Sequence, residues 1–175
     1  HRVASELSGE YKQGSFEIHP KVYHDSGRIN TLPPKISEDH LIDMLKPNRA
    51  HSADEAYQAA SHPNIGARAL DVALGHMDPH VRSLAAKHPN ITSEQLHHAL
   101  KDVNHQVSLS AINNRNIKPE HLLTALGRDN PYMHTIVAGH DKATPEGLDK
   151  ALDSQDEGVR NYAVRNSNAT EGNLL

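Results

Sequence analysis

The chain has 175 residues, enough for one domain or for one repeat array with an appendage. Its formal net charge is −4, with 18 Lys+Arg against 22 Asp+Glu, so no strong basic field draws it to nucleic acid or to a membrane surface. The absence of cysteine excludes disulfides, iron–sulfur clusters and cysteine-based zinc sites. Aromatics at 3% leave out the large side chains on which a compact globular core usually leans. No apolar run approaches the roughly 18 residues of a membrane span, and no signal-peptide pattern is present. Both ends read as cut, because the chain opens on His1 and stops at Asn173-Leu174-Leu175 inside a pattern that elsewhere runs further. A piece of a larger polypeptide is expected.

Residues 1–36 differ from the rest. Ser15-Phe16-Glu17-Ile18-His19-Pro20-Lys21-Val22-Tyr23, then Gly27, then Thr31-Leu32-Pro33-Pro34, alternate apolar residues with breakers. That pattern predicts an extended arm with a short hairpin. Two readings stay open: a flexible leader, or an arm that packs on the first repeat or on a partner. Ser37-Glu38-Asp39-His40-Leu41 with Met44-Leu45 then predicts a short helix, the second half of a unit that recurs downstream. Leu41 and Leu45 lie 55 residues before Leu96 and Leu100, two periods of 26 plus three. The connection through Lys46-Pro47-Asn48 is therefore three residues longer than the standard one.

From residue 52 onward the sequence repeats every 26 residues. Val81, Val107, Met133 and Val159 form one apolar column; Leu70, Leu96, Leu122, Leu148 and Leu174 form another. Ala59, Ala85, Ala111, Val137 and Ala163 keep the same step, as do Leu74, Leu100, Leu126 and Leu152 with the alanines just before them. Each unit predicts two helices. The first opens on a capping residue, in the column Ser52, Asp78, Asn104, Asn130 and Asp156. The second opens at Thr92, Lys118, Thr144 and Thr170, with Pro119 and Pro145 at the first helical position and capping-box spacing between Thr92 and Gln95. Neither helix is stable alone at two to three turns, so stacking on neighbours must hold it.

Asp78-Pro79-His80-Val81-Arg82, His88-Pro89-Asn90 and Glu94-Gln95-Leu96, and later Val159-Arg160 with Ala163, resemble the leucine-rich repeat variant, or LRV, over residues 53 to 175. The resemblance implies a right-handed superhelix of short helices, in the style of HEAT and armadillo arrays. The expected architecture is all-α: a right-handed α-solenoid of about five two-helix repeats behind an extended N-terminal arm. The repeats fall near 52–77, 78–103, 104–129, 130–155 and a truncated 156–175. Some LRV proteins carry an iron–sulfur module, which a chain without cysteine cannot hold. The family's arginine column reads Arg82, Ser108, His134 and Arg160, so its polar contacts are not expected to be uniform.

Fifteen histidines raise the question of metal or acid–base chemistry. His62, His88, Asn114, His140 and Asn166 form a column in the loop between helices, followed two residues on by Asn64, Asn90, Asn116, Lys142 and Asn168. Short polar side chains stacked once per repeat are expected to bond loop backbone groups that lack a helical partner. If His62, His88 and His140 are partly buried there, protonating them opposes the fold. Adjacent His97 and His98 point different ways on a helix, with His121 one repeat later, and no metal-ligand spacing is present. No nucleophile elbow, P-loop or dinucleotide motif appears. Glu94, Glu120 and Glu146 at the second position of second helices offset the helix dipole. Arg82 and Arg160 are expected to bond carboxylates or carbonyls of a neighbouring repeat; with His88 and His140 they are the candidate interaction residues.

The expected function is a non-catalytic protein-interaction or structural scaffold with protein partners, no cofactor and no metal. A segment of a larger assembly such as a virion, or a cytoplasmic protein, would fit that form. The alternative is a HEAT-like nucleic-acid-binding module, which wants a basic concave face and aromatic platforms.

Overall fold

The computed structural model describes residues 32–47 and 52–175. Among these residues the fold is all-α, with eleven helices and no strand. In chain order they are α1 (Glu38–Leu45), α2 (Ala53–Ala60), α3 (Ala67–Leu74), α4 (Pro79–Lys87), α5 (Ser93–Leu100), α6 (His105–Ile112), α7 (Pro119–Leu126), α8 (Pro131–Gly139), α9 (Pro145–Leu152), α10 (Glu157–Arg165) and α11 (Glu171–Leu174).

Local chemistry sets the helix starts. Ser52, Asp78, Asn104, Asn130 and Asp156 cap α2, α4, α6, α8 and α10, each accepting a backbone N–H of the first turn. Thr92 and Thr144 do the same for α5 and α9, and Thr92 closes a full capping box with Gln95. Lys118 has no acceptor to offer α7, and its side chain makes no cap. Gly66, before α3, shows a different solution. Glu38 of α1 reaches across and accepts the Ala69 N–H at 3.1 Å. A Cβ on Gly66 would lie 2.4 Å from Glu38 Oε1, so the glycine makes room for a cap supplied by another helix.

Helices two apart in the chain pack side by side: α1 on α3, α3 on α5, α5 on α7, α7 on α9 and α9 on α11 in one row, α2 on α4, α4 on α6 and α8 on α10 in the other. Consecutive helices such as α3 and α4, or α5 and α6, join the rows. α4 and α6 approach closely because serines meet there: Ser83 Oγ and Ser110 Oγ lie 2.6 Å apart and are buried. The equivalent positions on α6 and α8 are Leu109 and Ile136, which pack against the core.

The core lies between the rows and is aliphatic. Val81, Val107, Met133 and Val159 are buried, as are Leu70, Leu96, Leu122 and Leu148. Leu174, on the short α11, is 54% exposed and leaves the pattern of its column. Leu32 and Ile36 pack against the core, so part of the segment ahead of α1 lies on the helices it precedes. The extended arm and hairpin expected before residue 32 lie outside the described residues, as do residues 48–51. No helix among the described residues is long and apolar enough to cross a membrane.

Candidate functional site

The recurring polar side chains converge on the contacts between successive 26-residue units. His88 Nδ1 accepts the Asn90 N–H at 3.0 Å, and Nε2 donates to the His62 carbonyl at 3.1 Å, 26 residues back. His62 repeats the arrangement with the Asn64 N–H and the Pro33 carbonyl. An imidazole whose Nδ1 faces an N–H carries its proton on Nε2, so the partners assign the tautomer. Asn114 does the same work with an amide: Oδ1 accepts the Asn116 N–H at 2.8 Å, and Nδ2 donates to the carbonyls of Ala86 and His88. Asn166 repeats it against Ala138 and His140. His140 keeps the local half, accepting the Lys142 N–H, with Asp141 Oδ1 3.0 Å from its Nδ1. Among the described residues its Nε2 meets no carbonyl of the preceding unit.

The column two residues on runs parallel. Asn64, Asn90, Asn116 and Asn168 each donate to carbonyls of the preceding loop, at Pro34, Pro63 with Ile65, Pro89, and Asp141 with Ala143. Lys142 reaches the Ile117 carbonyl with its ammonium at 2.8 Å.

A third column sits at the third residue of α5, α7 and α11. Gln95, His121 and Asn173 each accept the N–H of the residue before their own helix, at Thr92, Lys118 and Thr170. Each also donates to a carbonyl at the start of the preceding second helix, at Ala67, Ser93 and Pro145. Sequence reading missed this column because its residue types differ. The available signal was their shared capacity to accept and donate at a step of 26.

This column decides the chemistry of the one cluster with metal-like proximity among the described residues. His97, Glu120 and His121 bring ligand atoms within 4.8 Å of one another. His121 is fully buried, and burial, with the charge of His97 behind it, lowers its pKa. Its Nδ1 lies 2.8 Å from the Lys118 N–H, so Nε2 holds the proton and points at Ser93, 2.8 Å from Oγ and 3.2 Å from the carbonyl. Coordination through Nε2 would move that proton to Nδ1, against the Lys118 N–H. The same proton prevents His121 from acting as general base toward Ser93. The apparent Ser–His dyad is thus the His121 version of the Gln95 and Asn173 contacts.

The arginine column also has one task. Arg82 Nη1 donates to the His76 carbonyl, Ser108 Oγ to that of Asp102, His134 Nε2 to that of Arg128, and Arg160 Nη1 to that of Ser154, always six residues back. Sequence reading expected non-uniform contacts; the side chains vary while the acceptor is constant. Arg82 also grips Asp102 of the next loop with two bonds, of 2.7 and 3.1 Å. Where Ser108 is too short to fill the space, Arg128 enters and binds the carbonyls of Leu100 and Asp102.

Several large apolar side chains lie on the outside. Met77 and Val103, at equivalent places in successive loops, are 77% and 85% exposed, and Tyr132 and Tyr162 show about half their surface. An open cleft is lined by Ala67, Asp71, Leu74, Thr92, Glu94, Gln95 and His98, and in it Asp71 Oδ1 accepts from Gln95 Nε2 at 2.7 Å. Compared with protein-family models, curated proteins and solved structures, the chain matches none.

Proposed function

We propose that the protein is a non-catalytic scaffold: a right-handed α-solenoid of about five 26-residue helix pairs, of the LRV type, that presents its outer surface to other proteins. One observation supports this most. The polar side chains that recur at the period are engaged in backbone contacts within and between neighbouring units, His88, Asn114 and His121 among them. Such contacts build a stack that extends by addition, which is how repeat arrays gain a long continuous surface. His88, Arg82 and Arg160, candidates for partner contact on sequence grounds, make bonds within the chain. The contact surface is better sought at Met77 and Val103, two exposed apolar side chains on one edge. Membership of a larger assembly, such as a virion, fits the same form.

The nucleic-acid reading draws less support. Arg82 and Arg128 direct their guanidinium groups at carbonyls and a carboxylate of their own chain, and no Trp is available for stacking.

The test is a photo-crosslinking side chain placed at Met77 or Val103 and, as a control, at Glu146, followed by exposure to an extract of the native source. Protein adducts at 77 and 103 but not at 146 support the scaffold. Adducts to nucleic acid, or adducts equally frequent at all three positions, refute it.

A further inference from the structure

Two contacts between successive units are made by imidazoles where equivalent contacts are made by amides. His88 occupies the place of Asn114 and Asn166, and His121 that of Gln95 and Asn173. The exchange is conservative only while the imidazole is neutral. Its Nδ1 lone pair accepts a backbone N–H, that of Asn90 for His88 and that of Lys118 for His121. A second proton on the ring would place two donors face to face at about hydrogen-bond distance. An amide has no such transition in this range of pH.

We propose that the chain contains a pH-sensitive device: protonation of His88 and His121 opens the contacts between units 52–77, 78–103 and 104–129, while the contact between units 130–155 and 156–175, made by Asn166, Asn168 and Asn173, holds. Geometry gives the asymmetry, because the histidines serve the N-terminal contacts and amides alone serve the last. The surroundings add to it. Both rings are buried, and burial pushes each pKa down. The charged groups acting on His88 are His62 and Arg115, and both oppose a further positive charge. Around His121, His97 and Lys118 oppose it and Glu120 favours it.

A histidine lowered by folding binds its proton more readily unfolded. Stability from these contacts is therefore complete above the unfolded value near about 6.5 and is lost as pH falls below it toward the folded values. Opening should follow protonation, rising about tenfold for each pH unit in that interval.

The experiment is residue-resolved amide hydrogen exchange on the full chain at pH 7.5 and 5.5, corrected for intrinsic rates. The amides of Asn90 and Lys118 should lose up to about tenfold in protection relative to that of Asn168. His88→Asn should abolish the response at Asn90 and leave that at Lys118; H121Q should do the reverse. Equal loss at all three amides, or an undiminished response at Asn90 in His88→Asn, overturns the proposal. Ring ¹⁵N spectra of the unsubstituted chain give a second reading that no folding defect can spoil. His88 and His121 should be neutral with the proton on Nε2 at pH 7 and titrate below the ordinary imidazole value near about 6.5. Titration at or above that value overturns the proposal as well.

Discussion

His88 and Asn114 occupy the same place 26 residues apart, and each joins its own loop to the one before it. Each accepts the N–H two residues on and donates to a carbonyl of the preceding unit, His62 for one and His88 itself for the other. The equivalence predicts that His88→Asn changes stability at pH 7.5 by less than about 0.5 kcal/mol. His88→Leu leaves the Asn90 N–H unpaired and removes one of the two donors to the His62 carbonyl, the Ile65 N–H remaining, and should cost about 1–3 kcal/mol. Urea denaturation of both variants measures the difference. Equal costs would mean that the ring acts by bulk alone.

The leucine column divides by burial. Leu96→Ala and Leu122→Ala each remove a buried side chain from an aliphatic core and should cost about 2–5 kcal/mol. Leu174→Ala, at the half-exposed end of the same column, should lie within about 0.5 kcal/mol of the parent. A comparable loss at Leu174 would show that it is covered in solution.

The Arg82–Asp102 pair is mostly buried, and its stabilisation depends on pH. Burial pushes the Asp102 carboxyl up, but the bond from Arg82, the Asn104 N–H and the guanidinium charge outweigh it and hold the group below its ordinary value. A carboxyl lowered by folding stabilises the fold above its unfolded value near about 3.9, and the contribution is lost as pH falls through the folded one. Arg82→Met should therefore cost about 3 kcal/mol at pH 7, because it leaves Asp102 charged and unpaired. The cost should shrink as pH falls below about 4. An unchanged cost between pH 7 and 3 would place the effect in packing of the arginine stem.

Gly147 holds the position of Gln95, His121 and Asn173 in α9 and has no side chain with which to reach Pro119. A Cβ there would meet Thr144 Oγ1, Leu123 and Leu126 at 3.6–3.8 Å, ordinary contact distances. Gly147→Gln should raise stability by about 1–2 kcal/mol, through helix propensity and a new contact to the Pro119 carbonyl. A thermal melt checks it, and a lower midpoint would show that Leu123 and Leu126 cannot yield.

The helices were legible in the sequence because their caps and apolar columns share one period. The capping column from Ser52 to Asp156 and the prolines at 119 and 145 mark starts that the structure keeps. The loop column was legible as a set of backbone-satisfying side chains. Its partner in the preceding unit was not, because nothing within a single repeat says which carbonyl lies opposite. The arginine column was legible in part. Arg82 and Arg160 bond carbonyls of a neighbouring repeat as expected, but that Ser108 and His134 donate to the same place, the carbonyl six residues back, is set by the fold and not by any shared residue type. The Glu38 cap of α3 was illegible for the same reason, since Gly66 alone reads as a weak helix start.

The central claim is that the helix pairs stack in one continuous, open array. The chain has no cysteine, so paired spin labels can be placed cleanly. Arg68, Glu120 and Glu146 are exposed and occupy equivalent positions on α3, α7 and α9. With about 10 Å between packed helices, the Arg68–Glu120 pair should lie about 20 Å apart and the Arg68–Glu146 pair about 30 Å. Pulsed electron–electron double resonance on the two double-cysteine variants measures both. A distance that grows by about one helix layer per unit is the predicted result. An Arg68–Glu146 distance equal to or shorter than the Arg68–Glu120 distance would mean a closed bundle and would contradict the account.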